Sequence, residues 1–157
     1  RVSDDFEGFV GDVGRRVERA LVAAYGLEIG TEAAAEALAV AWERWDEVAA
    51  LENPAGFLYR VGQSRARPHL RWSRRTGGFP SSYQIPVTAG AGDVDVDGLL
   101  TALGELSRSQ RVAVVLVRMY GFTYREAAEL MNESEPAVTN HIHRGMARLR
   151  QIMGVVQ

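Results

Sequence analysis

The chain of 157 residues contains no cysteine and no lysine, and all eighteen of its basic residues are arginine. The absence of cysteine excludes disulfide bonds and thiolate metal sites. No apolar run is long enough to cross a bilayer, and the first residues do not form a secretory signal. Hydrophobic residues make up 46% of the chain, an ordinary content for a folded protein. We therefore expect a folded cytoplasmic protein that does not insert into a membrane.

The sequence also lacks the usual parts of an active site. It has no glycine-rich phosphate loop, no cysteine or lysine nucleophile, and no histidine beside a pair of acids in a recognisable motif. Acid–base chemistry by carboxylates stays open, because no pattern supports or excludes it. We predict that the protein is not an enzyme, that it has no catalytic residues and that it needs no cofactor.

Charge is distributed unevenly along the chain, although the formal net charge is only −2. Residues 1–52 carry twelve acids and five arginines, whereas residues 53–92 carry six arginines and no acid. After Glu135 there is again no acid. Since arginine neutralises phosphate, two separate basic segments predict two nucleic-acid contact patches.

The first half of the chain shows the period of amphipathic helices. Gly26 and Gly30 are expected to bracket a break, and Thr31 is a plausible N-cap for the second helix. Pro54 suits the first position of a third helix, in which Pro68 should produce a kink. The expected helices cover residues 4–25, 31–45 and 54–75.

A segment rich in Gly, Pro, Ser and Asp follows, and it has neither a helical nor a strand period. It predicts a flexible linker and a domain boundary. The predicted organisation is a first domain at residues 1–75, a linker at 76–97 and a second domain at 98–157.

The second domain contains strong helix-start signals. Ser107 with Gln110, and Thr123 with Glu126, have the spacing of capping boxes, and Ser134 can cap the last helix. The apolar run at residues 112–120 could form either a buried helix or a buried strand, since β-branched valine favours strands. The capping box, the length of the run and the following glycine favour a helix. We predict an all-α fold of two small helical domains, the second ending in a helix-turn-helix.

The last helix carries the main candidate contacts. Burying Val138, Ile142 and Leu149 would turn Asn140 and Arg144 outward. Residues near the start of such a helix reach base edges, and arginines further along pair with phosphates. An ordinary solvated face is the alternative. A metal site is not predicted, since His141 and His143 lie on different sides of the helix and His69 stands alone as a surface residue.

The third helix carries a second basic pattern, which a straight helix would align in one stripe. Its members are Arg60, Ser64, Arg67, Arg71 and Arg74. A phosphate-tracking surface and a solvated arginine face are both compatible with it. Trp42 is expected in the core, whereas Trp45 could be a core residue or a platform for an unpaired base.

These motifs resemble the extracytoplasmic-function sigma factors of bacterial RNA polymerase over nearly the whole chain. In the second domain the resemblance rests on Leu-Ser-x-x-Gln-Arg at 106–111, Gly-Phe-Thr-Tyr-Arg-Glu-Ala-Ala at 121–128 and Ser-Glu-Pro-Ala-Val-Thr-Asn-His-Ile-His-Arg-Gly at 134–145. In the first domain it rests on Ala-Trp-Glu-Arg-Trp at 41–45 and Asn-Pro-Ala-Gly-Phe-Leu-Tyr-Arg-Val at 53–61.

The resemblance implies a subunit that binds core polymerase and directs transcription initiation at promoters, with an anti-sigma factor as a further partner. It implies that the last helix reads the minus-thirty-five element through Glu135, Thr139, Asn140, His141, His143, Arg144 and Arg148. It implies that the third helix lies along the minus-ten element through Arg60, Ser64, Arg67 and Arg71. The resemblance also implies that the polymerase binds at Glu32, Glu36 and Trp42. It implies that a loop at residues 46–52 captures an unpaired base.

The chain also departs from the family pattern. Ala35 stands where the docking helix usually has glutamine, Ser64 replaces a usual asparagine and Pro68 a usual aspartate. Thr139 and His141 stand where lysine and arginine are frequent. Two other hypotheses follow: a sigma-like regulator that binds polymerase or another protein without initiating, and an autonomous helix-turn-helix regulator of DNA.

Overall fold

The computed structural model describes residues 2–75 and 96–154, with side chains described at 3–70 and 97–154. Every element in these two stretches is helical, which confirms the all-α fold class. The helices are α1 (Val2–Phe9), α2 (Arg15–Tyr25), α3 (Leu27–Glu43), α4 (Trp45–Ala49), α5 (Pro54–Arg75), α6 (Val96–Gly104), α7 (Arg108–Val114), α8 (Tyr124–Met131) and α9 (Glu135–Met153). Within the described residues, none of them has the length and apolar character to span a membrane.

The two described stretches form two helical units, the first at residues 2–75 and the second at residues 96–154. The first unit is built on the packing of α2, α3 and α5. A π-helical turn at Val10–Gly14 joins α1 to α2, so the helix expected at residues 4–25 is continuous. Leu21 and Leu58 are fully buried between these helices. A Cβ at Gly62 would lie 2.4 Å from Leu21 Cδ1, so glycine is what allows α5 to approach α2 this closely.

The predicted start of the second helix at Thr31 is wrong. The chain breaks only at Gly26, which has a φ of 91°, and α3 begins at Leu27. Gly30 lies inside α3, where an added Cβ would be 2.5 Å from the Val22 Cα. Gly30 therefore marks a close approach between two helix backbones, not the end of a turn.

The third helix matches its predicted bounds and runs through Pro68 without a break. Proline removes one amide donor and crowds the preceding turn, but Pro68 is exposed and the helix continues on both sides of it. The next described helix, α6, begins at Val96, whereas the predicted linker extends to residue 97. The rest of that linker lies outside the described residues.

The second unit shows the caps that the sequence predicted. Ser107 and Thr123 each form a reciprocal capping box, and the Ser134 hydroxyl accepts a hydrogen bond from the Ala137 amide at 3.2 Å. The apolar run at residues 112–120 is helical, with a π-helical turn at Val115–Met119, so the strand alternative is wrong. Asn132 ends α8 in the left-handed region with a φ of 56°.

The capping box at Thr123 makes stability depend on pH. The Thr123 backbone amide donates to the Glu126 carboxylate and, with the Thr123 side chain, lowers the pKa of that carboxyl. A lowered pKa stabilises the folded state above the unfolded pKa, and this stability is lost as the pH falls through the folded pKa. We expect Glu126→Gln to be less stable than the parent at pH 7, and the difference to disappear between about pH 5 and pH 3. Urea unfolding across this range checks it, and a difference that grows on acidification contradicts it.

The two units contact each other directly. The Arg111 guanidinium, which is only 4% exposed, donates to the carbonyls of Ala23 and Ala24 at the end of α2, at 2.7 and 2.6 Å. It also donates to the Leu106 carbonyl at 3.0 Å. A buried guanidinium requires such acceptors. Arg111 therefore joins α7 to α2.

Candidate nucleic-acid interface

The exposed face of α9 is the first part of the candidate interface. Val138, Ile142, Gly145 and Leu149 are buried against the second unit, as the sequence predicted. Helical geometry then turns the opposite face to solvent. That face carries Pro136, Asn140, His143, Arg144 and Ala147, all of which are exposed. An amide, an imidazole and a guanidinium on one open helix face can donate hydrogen bonds to base edges and phosphates.

Three other predicted contacts on α9 have partners within the chain. His141 Nε2 lies 2.8 Å from Glu133 Oε1, and the Thr139 hydroxyl donates to the Glu135 carbonyl at 2.9 Å. Arg148 Nη2 lies 3.8 Å from Glu105 Oε2. These side chains lie at the edges of the exposed face. These internal contacts occupy part of the hydrogen-bonding capacity of the three side chains.

The first half of the predicted α5 stripe is accessible. Arg60, Ser64 and Arg67 are exposed on α5, while Leu58 and Ala66 of the same helix are buried. The side chains of Arg71 and Arg74 lie outside the described part of the chain. The described portion is a basic helix face suited to the phosphate backbone.

The predicted polymerase-docking residues lie along α3. Glu32 and Glu36 border a mostly apolar open groove that Leu27, Ala35 and Ala39 also line. Trp42 is 52% exposed, so the expectation that it belongs to the core is wrong. Its ring contacts Phe6 of α1, with the two ring centroids 4.9 Å apart, and more than half of the side chain stays open to solvent.

The second tryptophan belongs to an aromatic cluster. Trp45 contacts Phe6 at 5.3 Å and Phe9 at 5.0 Å, both edge to face. Such pairs are favourable packing geometries for aromatic rings. Trp45 opens α4, which occupies most of the predicted loop at residues 46–52. Residues 46–49 of that predicted loop are thus helical, whereas residues 50–52 are not, and Trp45 is held by aromatic packing.

The sequence suggested that His69 stands alone, but the structure places it beside two carboxylates. One ligand atom from its ring and one each from the Glu32 and Glu36 carboxylates lie within 4.8 Å of one another. Glu32 and Glu36 are one turn apart on α3, and the packing of α5 on α3 brings His69 to them. Imidazole and carboxylate are ligands that divalent cations accept. Among the described residues this is the group with the composition to hold a metal.

Three residues that the sequence did not single out connect the two units: Asn53, Arg111 and Asn132. Asn53 Nδ2 donates to the Glu129 carbonyl at 2.7 Å, and Asn132 Nδ2 donates to the Gly56 carbonyl at 2.8 Å. Arginine at the start of an apolar helix was the one available signal of a buried polar contact.

The family model "Sigma-70, region 4" matches residues 97–149, which include α7, α8 and most of α6 and α9. The RNA polymerase sigma factor CarQ of Myxococcus xanthus is 30% identical over 106 residues. Residues 97–149 therefore carry a sigma-70 region 4 domain. Both matches support the resemblance to extracytoplasmic-function sigma factors.

The match with CarQ covers 64% of this chain and 61% of the length of CarQ, so the chain spans less than two thirds of that relative. Two solved structures share the fold of this chain. The sigma factor RpoE in complex with the anti-sigma factor NepR, from Bartonella quintana, is 22% identical with a TM-score of 0.70, covering 98% of this chain and 99% of that chain. CnrH in complex with the cytosolic domain of CnrY is 19% identical with a TM-score of 0.61, covering 99% of this chain and 91% of that chain.

Proposed function

We propose that this protein is a cytoplasmic, non-enzymatic specificity subunit of RNA polymerase that directs initiation at promoters. The observation that carries the proposal is the open face of α9, with Asn140, His143 and Arg144, within the segment that matches sigma-70 region 4. Side chains of these types read base edges in the major groove. The exposed arginines of α5 supply a second contact along the duplex.

The modest net charge of the chain suggests that a partner protein supplies part of its affinity for DNA. Neutralisation of phosphates by basic side chains provides most non-specific affinity for DNA. A chain with a net charge of −2 gains little affinity in this way. Core polymerase would dock on α3, where Glu32, Glu36 and the half-exposed Trp42 face solvent beside an apolar groove. A protein regulator of the anti-sigma class is a further proposed partner, because RpoE was crystallised with one.

Retention on core polymerase separates docking from DNA recognition. We expect Trp42→Ala to reduce retention by a factor of about 30, since a truncated interface tryptophan costs about 2 kcal/mol. Arg144→Ala should be retained as the parent is, because it lies on the DNA face of α9. Circular dichroism checks that both variants are folded, and equal retention of Trp42→Ala and parent contradicts the docking assignment.

Run-off transcription with purified core polymerase on genomic fragments tests the function itself. Core-dependent initiation from defined start sites is the expected result, and its complete absence overturns the proposal. Co-elution with core without open-complex formation would favour a sigma-like regulator that does not initiate. Tight binding to a two-fold site without polymerase at physiological salt would select an autonomous regulator.

A further inference from the structure

We propose that Glu32, Glu36 and His69 form a binding site for a divalent metal ion of the zinc class, and that an ion bound there competes with polymerase docking on α3. The binding site concerns the free chain alone. The competition rests on the proposed function, because that function places the polymerase on the same two carboxylates. An ion held by all three side chains would link α3 to α5 within the first unit.

The packing of α5 on α3 creates the site. Ala33 and Ala37 are fully buried on α3, and such small side chains allow a neighbouring helix to come close. The two glutamates each precede one of these alanines, so they lie one turn apart at the border of the helix contact. On α5, Ala66 is also fully buried, and His69 follows three residues later on the same side of the helix. The imidazole therefore lies beside both carboxylates.

Three potential ligand atoms converge at this border. One oxygen from each carboxylate and one ring nitrogen lie within 4.8 Å of one another. A tetrahedral zinc ion holds its ligand atoms about 3.3 Å apart, so each of the three atoms would move inward by about 1 Å or less. Glu32 is exposed, whereas Glu36 and His69 are partly buried. One flexible carboxylate can thus close onto two more restrained ligands, and water can supply the fourth ligand.

The charges of the two glutamates give an electrostatic reason for a cation at this point. Like charges one turn apart on a helix repel each other. Among the described side chains, the ion pairs of arginine use other acids, and none of them includes a glutamate of the site. A divalent cation would neutralise both carboxylates at once and remove their repulsion.

The donor set selects the class of ion. Imidazole suits zinc and the neighbouring transition metals, whereas sites made of oxygen ligands alone suit magnesium and calcium. One imidazole with two carboxylates therefore favours zinc. The chain contains no cysteine, so no thiolate competes for the ion. Its other two histidines, His141 and His143, lie on α9 in the second unit, so zinc bound through His69 can be distinguished from zinc bound elsewhere.

An ion at this site would change the proposed docking surface. Glu32 and Glu36 also border the apolar groove along α3. A partner surface that pairs with these carboxylates has to be basic. A bound divalent ion removes both negative charges and coordinates the oxygens that would accept hydrogen bonds from the partner. The ion and the polymerase cannot use the same atoms at the same time, so zinc would inhibit docking.

Zinc titration of the free chain, prepared without a polyhistidine tag, tests the site. We expect one Zn²⁺ per chain with a dissociation constant on the order of 10 µM by calorimetry. In the NMR spectrum of the histidine rings, one of the three rings should shift with the same midpoint, and His69→Ala should lack that signal. Binding weaker than about 1 mM, or a titrating ring that persists in His69→Ala, overturns the site. A stronger ring response to Ca²⁺ than to Zn²⁺ also overturns it, because calcium prefers oxygen ligands.

Matched variants separate this site from other zinc binding. His69→Ala and Glu36→Gln should each weaken zinc affinity by a factor of about 10 or more. His143→Ala is the control, because it removes an exposed histidine outside the three-residue group and should bind zinc as the parent does. Equal losses in His69→Ala and His143→Ala overturn the assignment. Circular dichroism without zinc checks that the variants are folded.

Thermal unfolding provides a second readout of binding. Zinc at ten times its dissociation constant should raise the melting temperature of the parent by about 4 °C, since a ligand that binds only the folded state stabilises it. The melting temperature of Glu36→Gln should rise by about 1 °C or less under the same conditions. A rise in Glu36→Gln as large as in the parent overturns the role of this carboxylate.

Retention on core polymerase tests the competition. At ten times the dissociation constant of zinc, mutually exclusive binding should weaken retention of the parent by a factor of about 10. His69→Ala keeps both docking carboxylates and should be retained equally with and without zinc. Unchanged retention of the parent, or the same loss in His69→Ala, overturns the competition. Because the zinc titration uses the free chain, failure of polymerase docking leaves its result intact, and failure of zinc binding leaves the proposed function intact.

Discussion

Arg111→Met is expected to lower the free energy of unfolding by about 3 kcal/mol, the largest stability effect of any single substitution proposed for this chain. Methionine replaces the apolar stem of the arginine side chain but donates no hydrogen bond. The carbonyls of Ala23, Ala24 and Leu106 would lose a charged donor at 2.7, 2.6 and 3.0 Å. Because Arg111 is buried, water cannot replace that donor while the units stay together.

Thermal unfolding monitored by circular dichroism measures this effect. A loss of about 3 kcal/mol corresponds to a fall in melting temperature of about 10 °C for a protein of this size. Arg108→Met is the matched control, since Arg108 is exposed and contacts the Tyr25 ring, a contact worth about 1 kcal/mol or less. If the two variants melted within a degree of each other, the burial of Arg111 would not have the expected energetic role.

Arg144→Ala is expected to reduce initiation at the cognate promoter by a factor of about 10 to 100, as loss of one good base contact costs about 1–3 kcal/mol. Arg144 is exposed on the open face of α9 beside Asn140 and His143. Within the part of the chain that the structure describes, no carboxylate forms an ion pair with Arg144. Its guanidinium is therefore available to DNA. Run-off transcription with saturating core polymerase isolates this contact from docking.

Arg148→Ala is the control for that measurement. Arg148 lies one turn further along α9 and has Glu105 at 3.8 Å, so its contribution should stay within a factor of about 3, the scale of one exposed ion pair or phosphate contact. The same order is expected for His141→Gln, because His141 is paired with Glu133. If Arg148→Ala lost more activity than Arg144→Ala, the edge of the helix rather than its outward face would be the reading surface.

Local signals in the sequence were sufficient for the helical part of the fold. Capping boxes at Ser107 and Thr123 and the cap at Ser134 were predicted correctly, because each depends on residues within three positions of one another. The inward stripe of α9 was predicted for the same reason, since helical periodicity alone defines which side chains share a face. The start of α3 was missed because the role of Gly30 lies in its contact with Val22.

The sequence by itself determined the helices, their caps and the helix-turn-helix, all of which rest on interactions between residues close in the chain. Only the tertiary structure decided which polar side chains remain free for a partner. His141 turns to Glu133, Trp42 stays half exposed, and Asn53 meets Asn132 across two units that are distant in sequence. Hydrogen-bond partners between distant segments depend on how helices approach one another, and neither composition nor periodicity contains that information.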